Sequence, residues 1–161
     1  MKVSHVVNQP LSTRILLPFM ALLILMFSIN FATAESKKEE AAEEVKHKIV
    51  IQVSTDDKRT QKIAMNNAVN LQKHYGVDNI DIEIVSYGPG LGLMTAKSQF
   101  AKRVQSLALQ DITFSACMNT MNKVKKKTGH LPKLLKGVGT VPAGVARIME
   151  LQEQGYSYVR P

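Results

Sequence analysis

The 161-residue chain carries one cysteine, Cys117, within Phe114-Ser115-Ala116-Cys117-Met118-Asn119-Thr120-Met121. A short apolar run precedes it and a helical pattern follows, so the sulfur falls at a predicted helix N-terminus. Free N–H groups and the positive end of the helix dipole gather there, and both favour a thiolate over a thiol. A free cysteine titrates at about 8.5, and such positions lower it. The thiolate is the form that attacks sulfane sulfur or a disulfide. Asn119 and Thr120 add side-chain donors nearby, and the small or polar flanks Ser115, Ala116 and Asn119 suit an open site. The competing reading is an inert, buried cysteine acting as a small hydrophobe. Spacing alone leaves both open.

Other residues are candidates for the same site. Gly88, Gly90 and Gly92, in Tyr87-Gly88-Pro89-Gly90-Leu91-Gly92, could cradle an anion or simply form a tight turn; neither phosphate-binding glycine spacing is present. Asn67 sits beside the apolar stripe of a predicted helix, where its amide could reach a loop, whereas Asn66 and Asn70 are expected to face water. His47, His74 and His130 are scattered without carboxylate partners, so no metal site is expected. No serine-nucleophile elbow occurs, and hydrolysis has no support. Lys123, Lys125, Lys126, Lys127, Lys133 and Lys136 follow Cys117. They either complement a helix C-terminus or steer an anionic partner.

The elements that must position these residues alternate regularly. Lys48–Ser54 reads as a strand covered on both faces. Thr55, Asp56 and Asp57 cap a helix over Lys58–Tyr75, whose stripe is Ala64, Ala68, Leu71 and Tyr75, and Gly76 stops it. A second strand spans Ile80–Tyr87, and Ala96, Phe100, Val104, Leu107 and Ala108 mark a second helix. Strands at Asp111–Ser115 and Gly137–Val141 flank a helix from about Met118 to Gly129. A last helix is expected to bury Val145, Ile148 and Met149 and to end at Gly155, ahead of a strand over Tyr156–Val159. This rhythm implies right-handed crossovers and a mainly parallel five-stranded sheet with helices on both faces. Ligands of such sheets sit beyond the strand carboxyl ends. Cys117 falls there, as do Tyr87, Gly88, Pro142 and Gly144.

The N-terminus points to export. Lys2, His5 and Arg14 precede the apolar run Ile15–Phe31, and Ala32-Thr33-Ala34 offers small residues for a signal peptidase. We expect residues 1–34 to be a signal peptide cleaved after Ala34, giving a periplasmic protein without stable membrane insertion. The alternative is an uncleaved segment anchored in the inner membrane. Residues 35–46 form a charged flexible leader without aromatics. The folded domain covers 47–161. Losing Lys2 and Arg14 takes the formal charge from +8 to +6. The lysines are not interleaved with aromatics, and no nucleic-acid motif is present, so a nucleic-acid partner is not expected. With one cysteine no intrachain disulfide can form, and stability must come from the core.

Five blocks carry a resemblance: Ile49-Val50-Ile51-Gln52-Val53-Ser54, Asn66-Asn67-Ala68-Val69-Asn70-Leu71, Val85-Ser86-Tyr87-Gly88-Pro89-Gly90, the Phe114–Met121 block around Cys117, and Val141-Pro142-Ala143-Gly144-Val145. Together they resemble the DsrE/DsrF-like family over about His47–Pro161, closest to its stand-alone exported members. The resemblance implies a three-layer α/β/α fold, homo-oligomers, and a cysteine, here Cys117, that can carry a persulfide in sulfur-relay relatives such as DsrE and TusD; no cofactor is expected. Those relatives are cytoplasmic and work with sister subunits, unlike an exported stand-alone chain. Two functions are therefore expected as alternatives. In one, Cys117 accepts sulfane sulfur from a donor protein or small sulfur compound and passes it to an acceptor. In the other, an oligomeric module or scaffold with a non-catalytic cysteine binds a small ligand. The substrate-binding candidates are Asn67, Tyr87, Gly88, Gly90, Asn119, Thr120, Pro142 and Gly144.

Overall fold

The computed structural model describes residues 46–161, which fall within one compact unit, Glu44–Pro161. The expected signal segment and nearly all of the charged leader lie outside the described residues. The elements are β1 (His47–Val53), α1 (Lys58–Tyr75), β2 (Ile80–Ser86), a 3-10 helix (Gly88–Met94), α2 (Ala101–Ala108), β3 (Ile112–Cys117), α3 (Met118–Thr128), β4 (Val138–Val141), α4 (Gly144–Glu153) and β5 (Ser157–Val159). All strand pairs are parallel, in the order β4-β3-β2-β1-β5. The five-stranded α/β sheet expected from the sequence is therefore the one found.

The layers are unequal, and connectivity explains why. From β1 to β4 the chain steps outward one strand at a time, so right-handed crossovers put their helices on one face. The return from β4 to β5 passes back over the sheet in the opposite sense and places α4 on the other face. Alternation along the strands fits this division. Ile51, Val53, Ile82, Ile84, Ile112, Phe114 and Ala116 join Ala64, Met65, Ala68, Val104, Leu107 and Met121 in the larger core. On the α4 face, Val50 and Val85 pack with Ile148 and Leu151, flanked by Tyr87 and Tyr156. The other strand residues of that face are largely polar: Gln52, Glu83 and Ser115 are buried and Thr113 is exposed.

Three sequence expectations change. The second helix does not reach back to Ala96. Gly88–Met94 winds as a 3-10 helix, and the Ala96 N–H bonds the Lys133 carbonyl at 2.9 Å, so α2 begins only at Ala101. The buried stripe of α4 is Gly144, Ile148 and Leu151 rather than Val145, Ile148 and Met149, and Val145 and Met149 are 55% and 58% exposed. Apolar type misled the phase here, because Arg147 turns towards the sheet to meet Glu83. Finally, Asn66 does not face water: it is half-buried and accepts a bond from Arg103 Nη2 at 2.7 Å. The expected helix over Lys58–Tyr75 is found with its cap. Asp57 Oδ1 accepts from the Thr60 N–H and hydroxyl, both at 2.7 Å. These bonds to the charged form hold the Asp57 carboxyl below its usual range.

Candidate functional site

Cys117 is the last residue of β3 and the N-cap of α3 at once, so strand passes into helix without an intervening loop. Register aligns it with Val141 at the end of β4, while Ala116 aligns with Ser86 at the end of β2. The carboxyl ends of β2, β3 and β4 thus meet around the sulfur. The chain after β4 turns through Pro142 and Ala143 into α4, and the first amide of that helix, Gly144 N–H, donates to Cys117 Sγ at 3.2 Å. Two helix N-termini converge on one sulfur: α3 because Cys117 caps it, and α4 through Gly144.

The electrostatics follow. Burial pushes the Cys117 thiol up, since the residue is only 4% exposed. Opposing this are the Thr120 amide and hydroxyl, the Gly144 amide and the Asn119 amide. Together they outweigh burial and hold the thiol below its ordinary value. The Thr120 hydroxyl oxygen accepts from the Gly88 N–H at 3.0 Å, which leaves its proton free for the sulfur. The Asn119 N–H is shared with the Pro142 carbonyl at 3.2 Å.

The structure gathers most of the sequence candidates, several of them through the backbone. Thr120 and Gly144 touch the sulfur's environment directly. Gly88 acts through Thr120, and Pro142 through its carbonyl, its side chain being exposed. Tyr87 packs against Gly144: a Cβ there would lie 2.9 Å from Tyr87 Cδ1, so glycine is what admits α4 so close. Gly90 is a packing requirement rather than part of an anion cradle. A Cβ there would lie 2.1 Å from the Val53 carbonyl oxygen, and the residue is buried in the 3-10 helix. The Asn119 side chain is exposed and lines an open hollow of about 720 Å³ with Asn122, Lys123, Lys125 and Lys126. Asn67 is half-buried on α1 without a side-chain bond to the Cys117 region. The open site expected around Cys117 is instead nearly closed in the single chain.

One group escaped the sequence reading. Glu83, 4% exposed on β2, accepts from Ser115 Oγ at 2.6 Å and from Arg147 Nε and Nη2 at 3.0 and 2.7 Å. These carboxylate bonds raise the Arg147 guanidinium above its ordinary value. The fork fastens α4 to the sheet one turn from Gly144, with Ser115 two residues before the cysteine. Beside it, a hollow of about 700 Å³ lies over the less covered part of this face, lined by Asp81, Thr113, Ser115, Gly139 and Thr140 among others; Cys117 is not part of it. Among the described residues no cluster of His, Cys, Asp and Glu suited to a metal ion occurs.

Fold and site define a class: a parallel α/β/α sandwich that presents one cysteine where two helix N-termini meet at the sheet's carboxyl edge. Residues 47–161 match the model of the DsrE/DsrF-like family. The chain belongs to that family. Among similar solved structures is a protein of unknown function from Methanobacterium thermoautotrophicum, with 29% identity, 71% of this chain and 99% of that chain covered, and a TM-score of 0.64. Nearly the whole of that protein corresponds to this domain. A comparison with curated proteins finds no match.

Proposed function

We propose that this protein is a sulfur carrier in which Cys117 forms a persulfide. The observation that carries the reading is the convergence of the Gly144 amide, at 3.2 Å, and the first turn of α3 on one sulfur, which lowers its pKa despite burial. The step is a displacement. The Cys117 thiolate attacks the outer, sulfane sulfur of a donor persulfide R–S–SH. A new S–S bond forms on Cys117, the donor's S–S bond breaks, and RS⁻ leaves as a thiolate. No net oxidation occurs. The same amides that favour the thiolate favour the terminal persulfide anion. Delivery reverses the step: an acceptor thiolate takes the outer sulfur and the Cys117 thiolate leaves. Family membership supports this assignment, because sulfur relay is a recurrent activity of DsrE-like proteins.

The reading includes export, with a mature chain that begins at Glu35, and a homo-oligomer. The exposed Val145 and Met149 on α4 offer an apolar surface for the second copy. The test is polysulfide loading followed by intact-mass spectrometry. The wild type should gain the mass of one sulfur, reversed by a small thiol, and Cys117→Ser should gain none. A wild type that stays unmodified while Cys117 alkylates readily would overturn the carrier reading.

A further inference from the structure

A third hollow, of which Cys117 is not part, lies between the 3-10 helix and the C-terminal half of α3. It has a volume of about 500 Å³. Its wall is built rather than incidental. A short antiparallel contact pairs Thr95 with Leu134, and the Ala96 N–H to Lys133 carbonyl and Leu135 N–H to Met94 carbonyl bonds, at 2.9 and 3.0 Å, tie the two segments together. Pro89, Leu91, Val124, Leu131 and Pro132 give the cavity an apolar lining. Its charged side chains are of one sign: Lys97 and Lys133, with His130 beside them, and no carboxylate lines it. Neither lysine makes a salt bridge among the described residues. His130 Nδ1 lies 3.0 Å from the Thr128 carbonyl, which can only accept, so Nδ1 is the donor of that bond.

Size and chemistry together specify the occupant. Small-molecule sites are mostly apolar concavities of roughly 300–1,000 Å³ with a few polar groups that fix orientation. A fully polar anion would leave the Leu91, Val124 and Leu131 surface unused, and a neutral hydrocarbon would make no use of the two exposed ammonium groups at the rim. We propose that this cavity binds a small amphipathic anion: an apolar chain or ring carrying a single negative head that meets Lys97 and Lys133. The site does not depend on the chemistry of Cys117.

The test is an amide NMR titration of the full-length protein with three probes. Octanoate has body and head, 1-octanol the body alone, and acetate the head alone. Octanoate should shift the amides of Gly92, Ala96, Val124 and Leu131 saturably; 1-octanol should bind at least about tenfold more weakly through loss of one charge-assisted contact, and acetate at least about tenfold more weakly through loss of apolar burial. The double variant Lys97→Gln/Lys133→Gln should weaken octanoate about tenfold and leave octanol unchanged. Leu131→Asp, at a position 41% exposed, should remove octanoate binding by repulsion. Octanol binding as tightly as octanoate, shifts confined to other residues, no saturation at millimolar probe, or an octanoate affinity unmoved by the glutamines would each overturn the proposal. If a variant fails to fold, the three-probe comparison on the unaltered sequence decides alone.

Discussion

Arg147→Ala should be the most informative change outside the cysteine itself, because it removes the pin that holds α4. In the native domain the Glu83 carboxylate is buried and held by three donors, two of them from Arg147. Without Arg147 the carboxylate keeps only Ser115. Removing one partner of a buried ion pair costs about 3–5 kcal/mol. The Arg147 side chain retains 30% exposure, against 6% for Glu83, so water can enter the vacated space. The lower end, about 3 kcal/mol, therefore applies. For a domain of this size roughly 4 °C is lost per kcal/mol, so the melting temperature should fall by about 12 °C.

A thermal melt measures that fall, and a second readout separates positioning from mere stability. Gly144 opens the helix that Arg147 anchors, and its N–H faces Cys117 Sγ. Loosening α4 should carry the midpoint of the pH–alkylation profile of Cys117 upward, towards the ordinary thiol value. Glu83→Gln/Arg147→Ala, which removes the buried charge along with its partner, should recover much of the stability yet keep the shifted profile. Arg147→Lys should rescue little of either, because an ammonium cannot reproduce the planar fork on both carboxylate oxygens. A melting temperature for Arg147→Ala within about 4 °C of wild type, with an unmoved alkylation profile, would refute the argument that this fork positions α4.

Three further outcomes follow from the same geometry. Because the folded Cys117 pKa is depressed, its stabilising contribution is present in full above the unfolded value of about 8.5 and is lost as pH falls through the folded pKa; wild type measured against Cys117→Ser in urea should therefore gain stability as pH rises through that window, and Thr120→Val should narrow the window, while a pH-independent difference would contradict the assignment. Gly144→Ala places a methyl 2.9 Å from Tyr87 Cδ1 and should cost about 1–3 kcal/mol by overpacking, a cost that should be reduced in a Tyr87→Ala background, where only the Cβ contact at 3.1 Å remains. Ser86 Oγ is buried without a hydrogen-bond partner among the described residues, so Ser86→Ala should be neutral or stabilise by up to about 1 kcal/mol; a loss of that size in a urea melt would reveal a hidden partner.

The parts of the fold legible in the sequence are those in which one residue decides one local fact. Asp57 and Gly76 bracket α1 because a carboxylate can cap exposed amides and a glycine can take the φ of 91° that ends the helix. The alternation of strands and helices by itself puts Cys117 at a strand–helix junction. What escaped was pairwise. Within Ile82-Glu83-Ile84-Val85 a lone carboxylate in a buried strand already demands a partner, but nothing local says that the partner is Arg147, sixty-four residues later. That pairing sets the rotation of α4. It turns Ile148 and Leu151 inward and leaves Val145 and Met149 in solvent, against their hydrophobic type. It also fixes where the Gly144 amide points. The environment of the Cys117 thiol is thus assembled in part from a helix whose phase is decided by an ion pair on the opposite face of the sheet from the main core. A reading by types finds the sulfur; only the three-dimensional pairing explains why the thiol is buried and yet held towards its charged form.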